Sequence, residues 1–477
     1  MYDKLLKTVT NLGSPEILLV GDFILDSYVY GDALRISPEA PVAVLKVVDR
    51  KHSCGGAASV AADLAELGAR PFCLGIIGND SNGKVLCGLL EGLGADISGI
   101  VKVDDRPTTN KQRMVGLAQH RHRQQLLRID EESTDKLSDK ESDKLISLYK
   151  KALERVDVVC LQDYNKGVLC ERLCREFVEL AAKAGKRILV DPPLGSDYSK
   201  YKGASFITPN RQETSVAVGF ELETIEDVKR AASMLAEKLE LEAVVITLDR
   251  DGAYLHSKDE SVHVPTVARN VYDVTGAGDM VLATLATAMA AGSDFKTAVE
   301  LSNIAGGIEV EKFGCVTVSV DEIVNEIIAT RRGKSGKIQT LKSLEDELEI
   351  HRHQKETVVF TNGCFDVLHR GHIEYLKFCK EQGDIVVLGL NSDSSVRELK
   401  GPERPINNQH DRAAVLAALE TVDYIVIFDE PDPLSTIMSV KPDVLVKGED
   451  WAEKGVIGRE FVENRGGVVK LAKMVEG

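Results

Sequence analysis

Two short segments of the sequence carry residue types whose spacing suits chemistry on phosphate groups. The first, DVTGAGDM, runs from Asp273 to Met280 at a predicted junction between a strand and a helix. Its glycines, Gly276 and Gly278, let successive backbone N–H groups converge on an anion, and the helix adds its positive N-terminal dipole. Asp279 stands at the start of that helix, where its carboxylate can accept the proton of a hydroxyl that attacks phosphorus. The segment therefore predicts an anion site with a general base.

The second segment, TNGCFDVLHRGH (361–372), follows a hydrophobic strand and ends in two histidines. His369 and His372 are three residues apart, so they lie on one face of a first helical turn, and Gly371 permits close approach. Such a site can stabilise the phosphates of a nucleotide while the bond to pyrophosphate breaks. An ionised phosphate oxygen needs no general base when it is the nucleophile. The segment therefore predicts a site of donors and cations rather than of catalytic carboxylates.

The elements that must hold these segments are short β-branched runs that alternate with longer helical patterns. In the first half this alternation indicates parallel βαβ units with helices on both faces of a sheet. Residues 101–128 depart from it, with little helix signal and seven Lys or Arg against two Asp, and predict a β-rich insertion. The strands are predicted at 16–22, 71–78, 156–163, 187–192, 205–210 and 243–249, and helices at 57–68 and 173–185.

A second α/β alternation begins after the segment RRGKSGK (331–337), which has no apolar periodicity. A charged helix is predicted at 341–353, followed by strands at 357–363, 385–393, 423–430 and 443–450. The 477 residues are enough for two or three domains, and the two halves share no internal period. We therefore predict a fusion, with one domain at 1–332, a linker at 333–340 and a smaller domain at 341–477.

The composition excludes several classes of protein. The net charge of −16, from 59 Lys and Arg against 75 Asp and Glu, repels polyanions and disfavours nucleic-acid partners. No apolar run approaches the ~20 residues of a membrane helix, and the first residues lack the apolar core of a secretory signal, so a cytoplasmic location is expected. The nine cysteines are odd in number and scattered, which predicts reduced thiols rather than a disulfide framework or a zinc site.

The first half resembles the ribokinase-like sugar kinases of the phosphofructokinase-B type, because DVTGAGDM occurs with other segments in that family's order. These segments are GDFILD (21–26), CGGAASVAADLAELG (54–68), PNRQE (209–213) and TLDRDGA (247–253). The resemblance implies a three-layer α/β fold with a β-rich lid, and ATP, Mg²⁺ and K⁺ as cofactors. Ser59 stands where the family usually has Asn, which changes one expected sugar contact.

For this half the resemblance implies binding residues around the general base Asp279. Glu213 is expected to help hold Mg²⁺, and Asp273 to lie near a monovalent cation. Sugar contacts are expected at Asp22, Asp26, Gly55 and Gly56. ATP contacts are expected at Asn210, Arg211, Gln212, Glu213, Thr247, Gly252, Gly276, Ala277, Gly278 and Asn303.

Within that family the first half looks most like the heptose 7-phosphate kinases, on the segments RISPEAPV (35–42), NKQR (110–113) and DYNKG (163–167). A phosphosugar needs a cationic pocket for its own phosphate. The expected cations are Lys111, Arg113, Arg128 and Lys166, with Arg35 nearby. Such kinases commonly read DPK where this chain has Asp191-Pro192-Pro193, so a substrate contact is expected to differ there.

The second half resembles the cytidylyltransferase-like nucleotidyltransferases, which implies a Rossmann-like domain. The chain order points to the adenylyltransferases that act on heptose 1-phosphate. Catalytic roles are implied for His369 and His372. The chain ends at KMVEG (473–477), before the Ser/Thr-rich segment usual in this family, so either a shortened C-terminus or an impaired half is expected. Nucleotide or sugar contacts are implied for Thr361, Asn362, Gly363, Phe365, Lys380, Asn391, Asp393, Lys400, Arg412, Lys447 and Asp450.

Taken together, the two halves resemble the bifunctional enzymes of ADP-heptose synthesis for the lipopolysaccharide core. This implies phosphorylation of heptose 7-phosphate at O1, and adenylyl transfer to heptose 1-phosphate with release of pyrophosphate. A homodimer formed through the β-rich lid is also implied. Two alternatives stay open: another phosphosugar kinase fused to a cytidylyltransferase, and a kinase with a catalytically impaired C-terminal module.

Overall fold

The computed structural model describes residues 2–117, 124–195, 197–266, 276–312, 316–353, 355–452 and 454–473. The chain forms two compact units, Met1–Val324 and Asn325–Gly477. None of the described helices is both long and apolar enough to cross a membrane.

The described part of the first unit contains thirteen strands and ten helices, the last of which continues into the second unit. The strands are β1 (Glu16–Gly21), β2 (Phe23–Ile36), β3 (Ala43–Gly56), β4 (Arg70–Gly78), β5 (Asp96–Val103), β6 (Asn110–Gly116), β7 (Gln124–Glu131), β8 (Val158–Gln162), β9 (Arg187–Asp191), β10 (Phe206–Ile207), β11 (Ala243–Thr247), β12 (Ala253–Ser257) and β13 (Ser261–Val264). The helices are α1 (Tyr2–Thr10), α2 (Ala57–Glu66), α3 (Ser81–Gly92), α4 (Asp139–Ala152), α5 (Glu171–Lys183), α6 (Arg211–Val218), α7 (Ile225–Leu239), α8 (Ala277–Ala290), α9 (Phe295–Glu309) and α10 (Val320–Ser335).

Nine of these strands form one sheet in the order β13-β12-β11-β10-β9-β8-β1-β4-β5, parallel except at β12 and β13. The side chains of successive residues in β1 lie on opposite faces of this sheet. Leu18 and Val20 pack into a core with α4, α5 and α7, whereas α2 and α8 contact β1 from outside that core. The buried strands therefore lie between two helical layers, which confirms the predicted three-layer α/β class.

A second sheet of the first unit has the order β3-β2-β6-β7 and forms the β-rich lid. The predicted insertion was wrong in its limits. Residues 101–103 belong to β5 of the main sheet, and half of the lid comes from β2 and β3, where no strand was predicted. Most of β3 is exposed, so polar and apolar residues do not alternate along it and the usual strand pattern is missing.

The second unit is built on a six-stranded parallel sheet in the order β14-β17-β16-β15-β18-β19, which confirms the Rossmann-like class. The strands are β14 (Ile338–Gln339), β15 (Val358–Gly363), β16 (Ile385–Asn391), β17 (Tyr424–Phe428), β18 (Val444–Gly448) and β19 (Val468–Ala472). The helices are α11 (Leu341–His353), α12 (Arg370–Lys380), α13 (Asp393–Lys400), α14 (Gln409–Ala417), α15 (Leu434–Val440) and α16 (Arg459–Asn464).

Two features of this unit bear on the sequence interpretation. Within the segment predicted to be a linker, α10 continues to Ser335 and Ile338–Gln339 pairs with β17 as β14. The domain limits themselves stay a prediction. From β15 the chain adds β16 and β17 on one side and β18 and β19 on the other, so the order reverses between β15 and β18. Ligands of open α/β sheets bind at the carboxyl ends of the strands beside such a reversal.

Candidate active sites

In the first unit, Asp279 lies in the first turn of α8, directly after the left-handed Gly276 (φ 101°). The Gln162 side-chain amide donates to Asp279 Oδ1 at 2.8 Å, and the Tyr164 hydroxyl donates to the same oxygen at 3.0 Å. Burial raises the pKa of Asp279 to about 8, and the negative charge of Asp191 adds to this effect. Hydrogen bonds from Tyr164 and Ser59 oppose the rise. The result is a buried carboxyl group poised to exchange a proton near neutral pH.

Two further carboxyl groups lie close to this base. Asp191 ends β9, and its carboxylate accepts hydrogen bonds from the Gln162 amide at 2.9 Å and the Thr208 hydroxyl at 2.9 Å. Burial raises the pKa of Asp191 to about 6. Glu213 caps α6, where its carboxylate accepts the Asn210 backbone N–H at 2.8 Å. Burial and then the charge of Asp191 raise the pKa of Glu213 to about 7. This concentration of buried negative charge favours a bound cation.

Two cavities of the first unit meet beside Gly278, where Asn210 and Thr247 line both. One has a volume of about 540 Å³ and is lined by Asp279, Asp191, Glu213, Gly276 and Lys166, among others. The other, of about 870 Å³, is long and less polar. Its lining includes seven of the residues expected to contact ATP: Asn210, Arg211, Thr247, Gly252, Ala277, Gly278 and Asn303.

Not every residue expected at the nucleotide is brought to these cavities. Gln212 is exposed and lines neither of them, because it lies on the outer side of the first turn of α6. Gly252 (φ 95°) is needed for packing of the backbone, since a Cβ there would lie 2.1 Å from the Val264 carbonyl oxygen. Arg211 is held by an ion pair with Asp251 at 2.7 Å. Asp273 lies outside the described residues.

The expected sugar contacts gather where the lid meets the main sheet. Arg113 donates to Asp26 Oδ1 at 2.7 Å, and both side chains are largely buried. A Cβ at Gly55 would lie 2.9 Å from Asp26, so the glycine leaves room for this carboxylate. The Lys111 ammonium lies 5.0 Å from the centre of the Tyr164 ring, and its positive charge opposes the rise in the pKa of Asp279. These contacts connect the lid to the general base.

Two other expected cations of the phosphosugar pocket are engaged in ion pairs. Arg128 lies opposite Arg113 on β7 and binds Asp130 through two hydrogen bonds of 2.9 and 2.8 Å. The Lys166 ammonium lies 2.7 Å from Glu132 at the end of the lid. A sugar phosphate would have to exchange with these carboxylates to use either cation.

Three residues expected at or near the sugar have other roles in the fold, and their contacts with the sugar stay predictions. Asp22 accepts the backbone N–H groups of Tyr164 and Lys166 at 2.9 and 3.0 Å, so its carboxylate holds that loop. Gly56 (φ 55°) serves the turn into α2, where a Cβ would lie 2.6 Å from the Asp22 carbonyl oxygen. Arg35 is exposed and nine residues further along β2 than Asp26, about 30 Å away at the usual rise of a strand.

Sequence reasoning missed Gln162, Tyr164 and Asp191 as parts of the site. A usable signal was present, because Gln162 and Asp191 are polar residues at the carboxyl ends of strands that had been predicted. In a parallel sheet those ends share one edge, where ligands bind. Ser59 keeps a role despite its departure from the family pattern, since its hydroxyl opposes the rise in the pKa of Asp279.

In the second unit, His369 caps α12, and its Nδ1 accepts the Gly371 backbone N–H at 3.1 Å. The rings of His369 and His372 are tilted by 36° with their centres 4.0 Å apart, and both residues lie at the N-terminal end of α12. Partial burial lowers the pKa of His372, and His369 and Lys400 add to this effect. Its Nδ1 has no hydrogen-bond partner among the described residues. The imidazole is therefore neutral near pH 7 and available as a donor to a ligand.

The ends of β15 and β18 form the second wall of this site. The buried Lys447 ammonium donates to Asn362 Oδ1 and lies 5.1 Å from the centre of the Trp451 ring. Burial lowers the pKa of Lys447 to about 8, although the nearby Asp450 opposes this. Gly363 is needed here because a Cβ would lie 2.9 Å from the ring of Phe365. The expected residues of this wall thus meet at the reversal of strand order.

Four residues expected to contact ligands in this unit have hydrogen bonds or ion pairs within the fold, and their ligand contacts stay predictions. Lys380 ends α12, about 16 Å from its N-terminus, and pairs with Asp423 at 2.8 Å at the amino edge of the sheet. Arg412 is buried, and its guanidinium donates to three backbone carbonyls and to Asp393 at 2.6 Å. Both cations are therefore used within the protein. Thr361 is buried against the Tyr375 hydroxyl at 2.6 Å, and Asn391 donates to Ser395 at 3.0 Å.

Comparison with known proteins agrees with both units. Residues 14–322 match the pfkB family of carbohydrate kinases, and residues 360–474 match the cytidylyltransferase-like family. The chain is similar in fold to ribokinase of Arabidopsis thaliana in complex with ribose and ATP (TM-score 0.52, 19% identity, 66% of this chain and 99% of that chain). It is also similar in fold to phosphofructokinase-2 of Escherichia coli in complex with potassium (TM-score 0.55, 21% identity, 67% and 100%).

The fold and the two sites define a bifunctional transferase, in which a carbohydrate kinase precedes a nucleotidyltransferase-like unit. The chain is 43% identical to the bifunctional protein HldE of Geobacter sulfurreducens over 98% of this chain and 94% of that protein. It is 44% identical to the bifunctional protein HldE of Campylobacter fetus over 97% of each. The chain belongs to the family of bifunctional HldE proteins.

Proposed function

We propose that the protein catalyses two steps of ADP-heptose synthesis for the lipopolysaccharide core. The first unit transfers the γ-phosphoryl group of ATP to O1 of D-glycero-β-D-manno-heptose 7-phosphate. The second unit joins heptose 1-phosphate to the α-phosphorus of ATP and releases pyrophosphate. The observation that carries this proposal is Asp279, a buried base beside the meeting point of two cavities in a chain similar to HldE proteins along its length.

In the kinase step, Asp279 takes the proton from the O1 hydroxyl as oxygen attacks the γ-phosphorus. The Gly276–Gly278 segment and the N-terminus of α8 stabilise the charge that develops on the phosphoryl group. ATP occupies the larger cavity, with its base toward Asn303. Asp26 and Gly55 bind the sugar, and Lys111, Arg113 and Lys166 attract its 7-phosphate.

In the adenylyl step, heptose 1-phosphate is already an ionised nucleophile, so the site supplies positive charge and donors. His369 and His372 hold the phosphates of ATP at the N-terminus of α12, and Lys400 adds positive charge near His372. Lys447 and Asp450 lie near each other at the end of β18, where they would meet the nucleotide or the sugar. These donors stabilise the leaving pyrophosphate.

Both reactions use ATP, and Mg²⁺ and K⁺ are part of the proposal. Glu213 fits Mg²⁺ because it is a partly buried oxygen donor near the negative charge of Asp191; burial first, and then that charge, raise its pKa to about 7. Among the described residues, no group of three His, Cys, Asp or Glu forms a metal site, which agrees with an ion held largely by phosphates and water. Bound Mg²⁺ would neutralise charge on the phosphates. K⁺ near Asp273 is tested by replacing KCl with NaCl in the kinase assay. A cytoplasmic location follows from the use of ATP and is tested by cell fractionation.

Separate assays of the two reactions test the function and its alternatives. The protein is expected to form a 1,7-bisphosphate from ATP and heptose 7-phosphate, detected by phosphorus NMR, and not from fructose 6-phosphate. It is expected to release pyrophosphate from heptose 1-phosphate with ATP but not with CTP. Preference for CTP, or for another phosphosugar, would favour the alternative of a different phosphosugar kinase fused to a cytidylyltransferase. Kinase activity without any pyrophosphate release would favour an impaired second unit.

The raised pKa of Asp279 predicts a pH dependence of the kinase reaction. The base must be ionised to accept a proton, and in the free protein its pKa is raised to about 8. We therefore expect kcat/KM of the kinase to rise with pH through a midpoint near 8, since kcat/KM reports groups of the free enzyme. Initial rates at subsaturating sugar between about pH 6 and pH 9.5 measure this. A flat profile over that range would contradict the assignment of the base.

We further propose that two copies of the chain associate through the β-rich lid. Val48 and Leu127 are 61% and 57% exposed on this sheet, and four further large apolar residues on its strands are also exposed, which is unusual for a monomer. Light scattering of the wild-type protein is expected to give twice the mass of one chain, and Leu127→Asp to give one. Met234→Asp, at an apolar position on α7 that is 45% exposed, is the control that keeps the dimer. A dimer that survives Leu127→Asp together with Val48→Asp would contradict the proposal.

A further inference from the structure

The two carboxylate oxygens of Asp279 are not equivalent. Oδ1 accepts the Gln162 amide at 2.8 Å and the Tyr164 hydroxyl at 3.0 Å, whereas Oδ2 lies 3.3 Å from the same hydroxyl. A carboxylate oxygen with two donors has both lone pairs engaged. Oδ2, whose hydrogen bond from Tyr164 is longer, is therefore the more open acceptor for the proton of a substrate hydroxyl. Because the donors come from β8 and the loop after it, they also fix the rotation of the carboxylate.

The same amide connects Asp279 to Asp191. Gln162 Nε2 donates to Asp191 Oδ2 at 2.9 Å as well as to Asp279 Oδ1, so one NH₂ group gives one N–H to each carboxylate. These carboxylates repel each other, since the charge of Asp191 raises the pKa of Asp279. Donors shared between two carboxylates favour their ionised forms. The amide thus allows two negative groups to remain close together.

The two carboxylates set the orientation of the Gln162 amide, although this orientation leaves the amide oxygen without a hydrogen bond from the described residues. The side chain is 1% exposed, and its Oε1 has no hydrogen-bond partner among the described residues. A buried acceptor without a partner is destabilising, yet the flipped amide would turn Oε1 toward two carboxylates. Such a local conflict is expected where a residue serves function rather than folding.

We infer that Gln162 is a positioning residue of the kinase site, which aligns Asp279 Oδ2 with the attacking hydroxyl and keeps Asp191 beside it. This rests on the proposed function of the first unit. In the step, the O1–H bond breaks as its proton passes to Asp279 Oδ2, and the O1–phosphorus bond forms. The bond from the γ-phosphorus to the bridging oxygen breaks, and ADP leaves with that electron pair. Gln162 touches none of these atoms and acts through Asp279.

Gln162→Met tests the inference, because Met keeps the length of the side chain and removes both donors. We expect kcat of the kinase to fall by about tenfold to a hundredfold while KM for ATP changes less than about twofold, since only the alignment of the base is lost. The midpoint of the pH profile of kcat/KM is expected to move to higher pH. The control is Tyr198→Phe, which removes a buried hydroxyl near Asp191 that has no partner among the described residues. This control is expected to keep the wild-type kcat.

Several outcomes would overturn the inference. One is a wild-type kcat and pH profile in Gln162→Met. Another is a joint loss of ATP affinity and kcat with an unchanged midpoint, which would assign Gln162 a purely structural role. If Gln162→Met does not fold, Tyr164→Phe removes the other donor to Oδ1 and is expected to lower kcat by about threefold to tenfold. A wild-type kcat in Tyr164→Phe would then overturn the inference.

The wild-type protein separates this inference from the proposed function. If it does not phosphorylate heptose 7-phosphate, that substrate is rejected. The protonation of Asp279 can still be followed without sugar, from the infrared absorption of protonated carboxyl groups during a pH titration. We expect protonation at higher pH in Gln162→Met or Tyr164→Phe than in the wild type. Identical titrations of all three proteins would overturn the inference whichever sugar is the substrate.

Discussion

Asp279→Asn is expected to lower kcat of the kinase reaction by about 10³-fold, within the range known for loss of a general base. Asparagine keeps the shape of the side chain and can still meet Tyr164, but it cannot accept a proton from the O1 hydroxyl. ATP binding to the first unit is expected to remain. Asp279 lines the cavity of about 540 Å³ and not the cavity of about 870 Å³ in which ATP is proposed to bind. Release of ADP from ATP and heptose 7-phosphate measures the turnover, and calorimetry measures ATP binding.

The second unit of the same chain provides an internal control for this variant. Its release of pyrophosphate is expected to be unchanged, since Asp279 belongs to the first unit. Asp139→Asn is a matched control within the first unit, because the Asp139 side chain is 96% exposed and meets Arg172 at the surface. Turnover close to that of the wild type in Asp279→Asn would show that another group is the base.

His372→Ala is expected to lower the rate of pyrophosphate release from ATP and heptose 1-phosphate by about 10²- to 10³-fold, the usual loss for a donor that stabilises developing charge. His372 is the better test of the two histidines. His369 also caps α12, so its loss would cost about 1 kcal/mol of helix stability and confuse the result. A coupled assay of pyrophosphate measures the reaction.

The kinase reaction is expected to be unaffected by His372→Ala. His410→Ala is the matched control in the second unit, because His410 is exposed at the start of α14 and forms no part of the site. Wild-type pyrophosphate release in His372→Ala would reject the proposed role of His372. An equal loss in His410→Ala would show instead that the unit is sensitive to any change of a histidine.

Sequence patterns predicted the local geometry correctly where the residues concerned are neighbours in the chain. The glycines before Asp279 set the turn into α8, and His369 and His372 share one turn of α12 because they are three residues apart. Four of the six strands of the second unit, β15 to β18, were also predicted, since they are buried runs rich in β-branched residues, whereas β14 and β19 were not. Patterns failed for β2 and β3 of the lid, because their exposure to solvent removes the alternation that marks a strand.

The class of fold, the two catalytic segments and the family could be inferred from the amino-acid sequence, because they depend on local periodicity and on contiguous motifs. Which cations are available to ligands depends instead on the folded structure. Lys380 and Arg412 are paired within the protein, whereas Lys447 meets an amide and an aromatic ring. The tertiary structure also decided the proton affinity of Asp279, since burial and its contacts with Gln162 and Asp191 join residues up to 117 positions apart. Charge and hydrogen bonding act through space, so their effects follow the folded distances rather than the order of the chain.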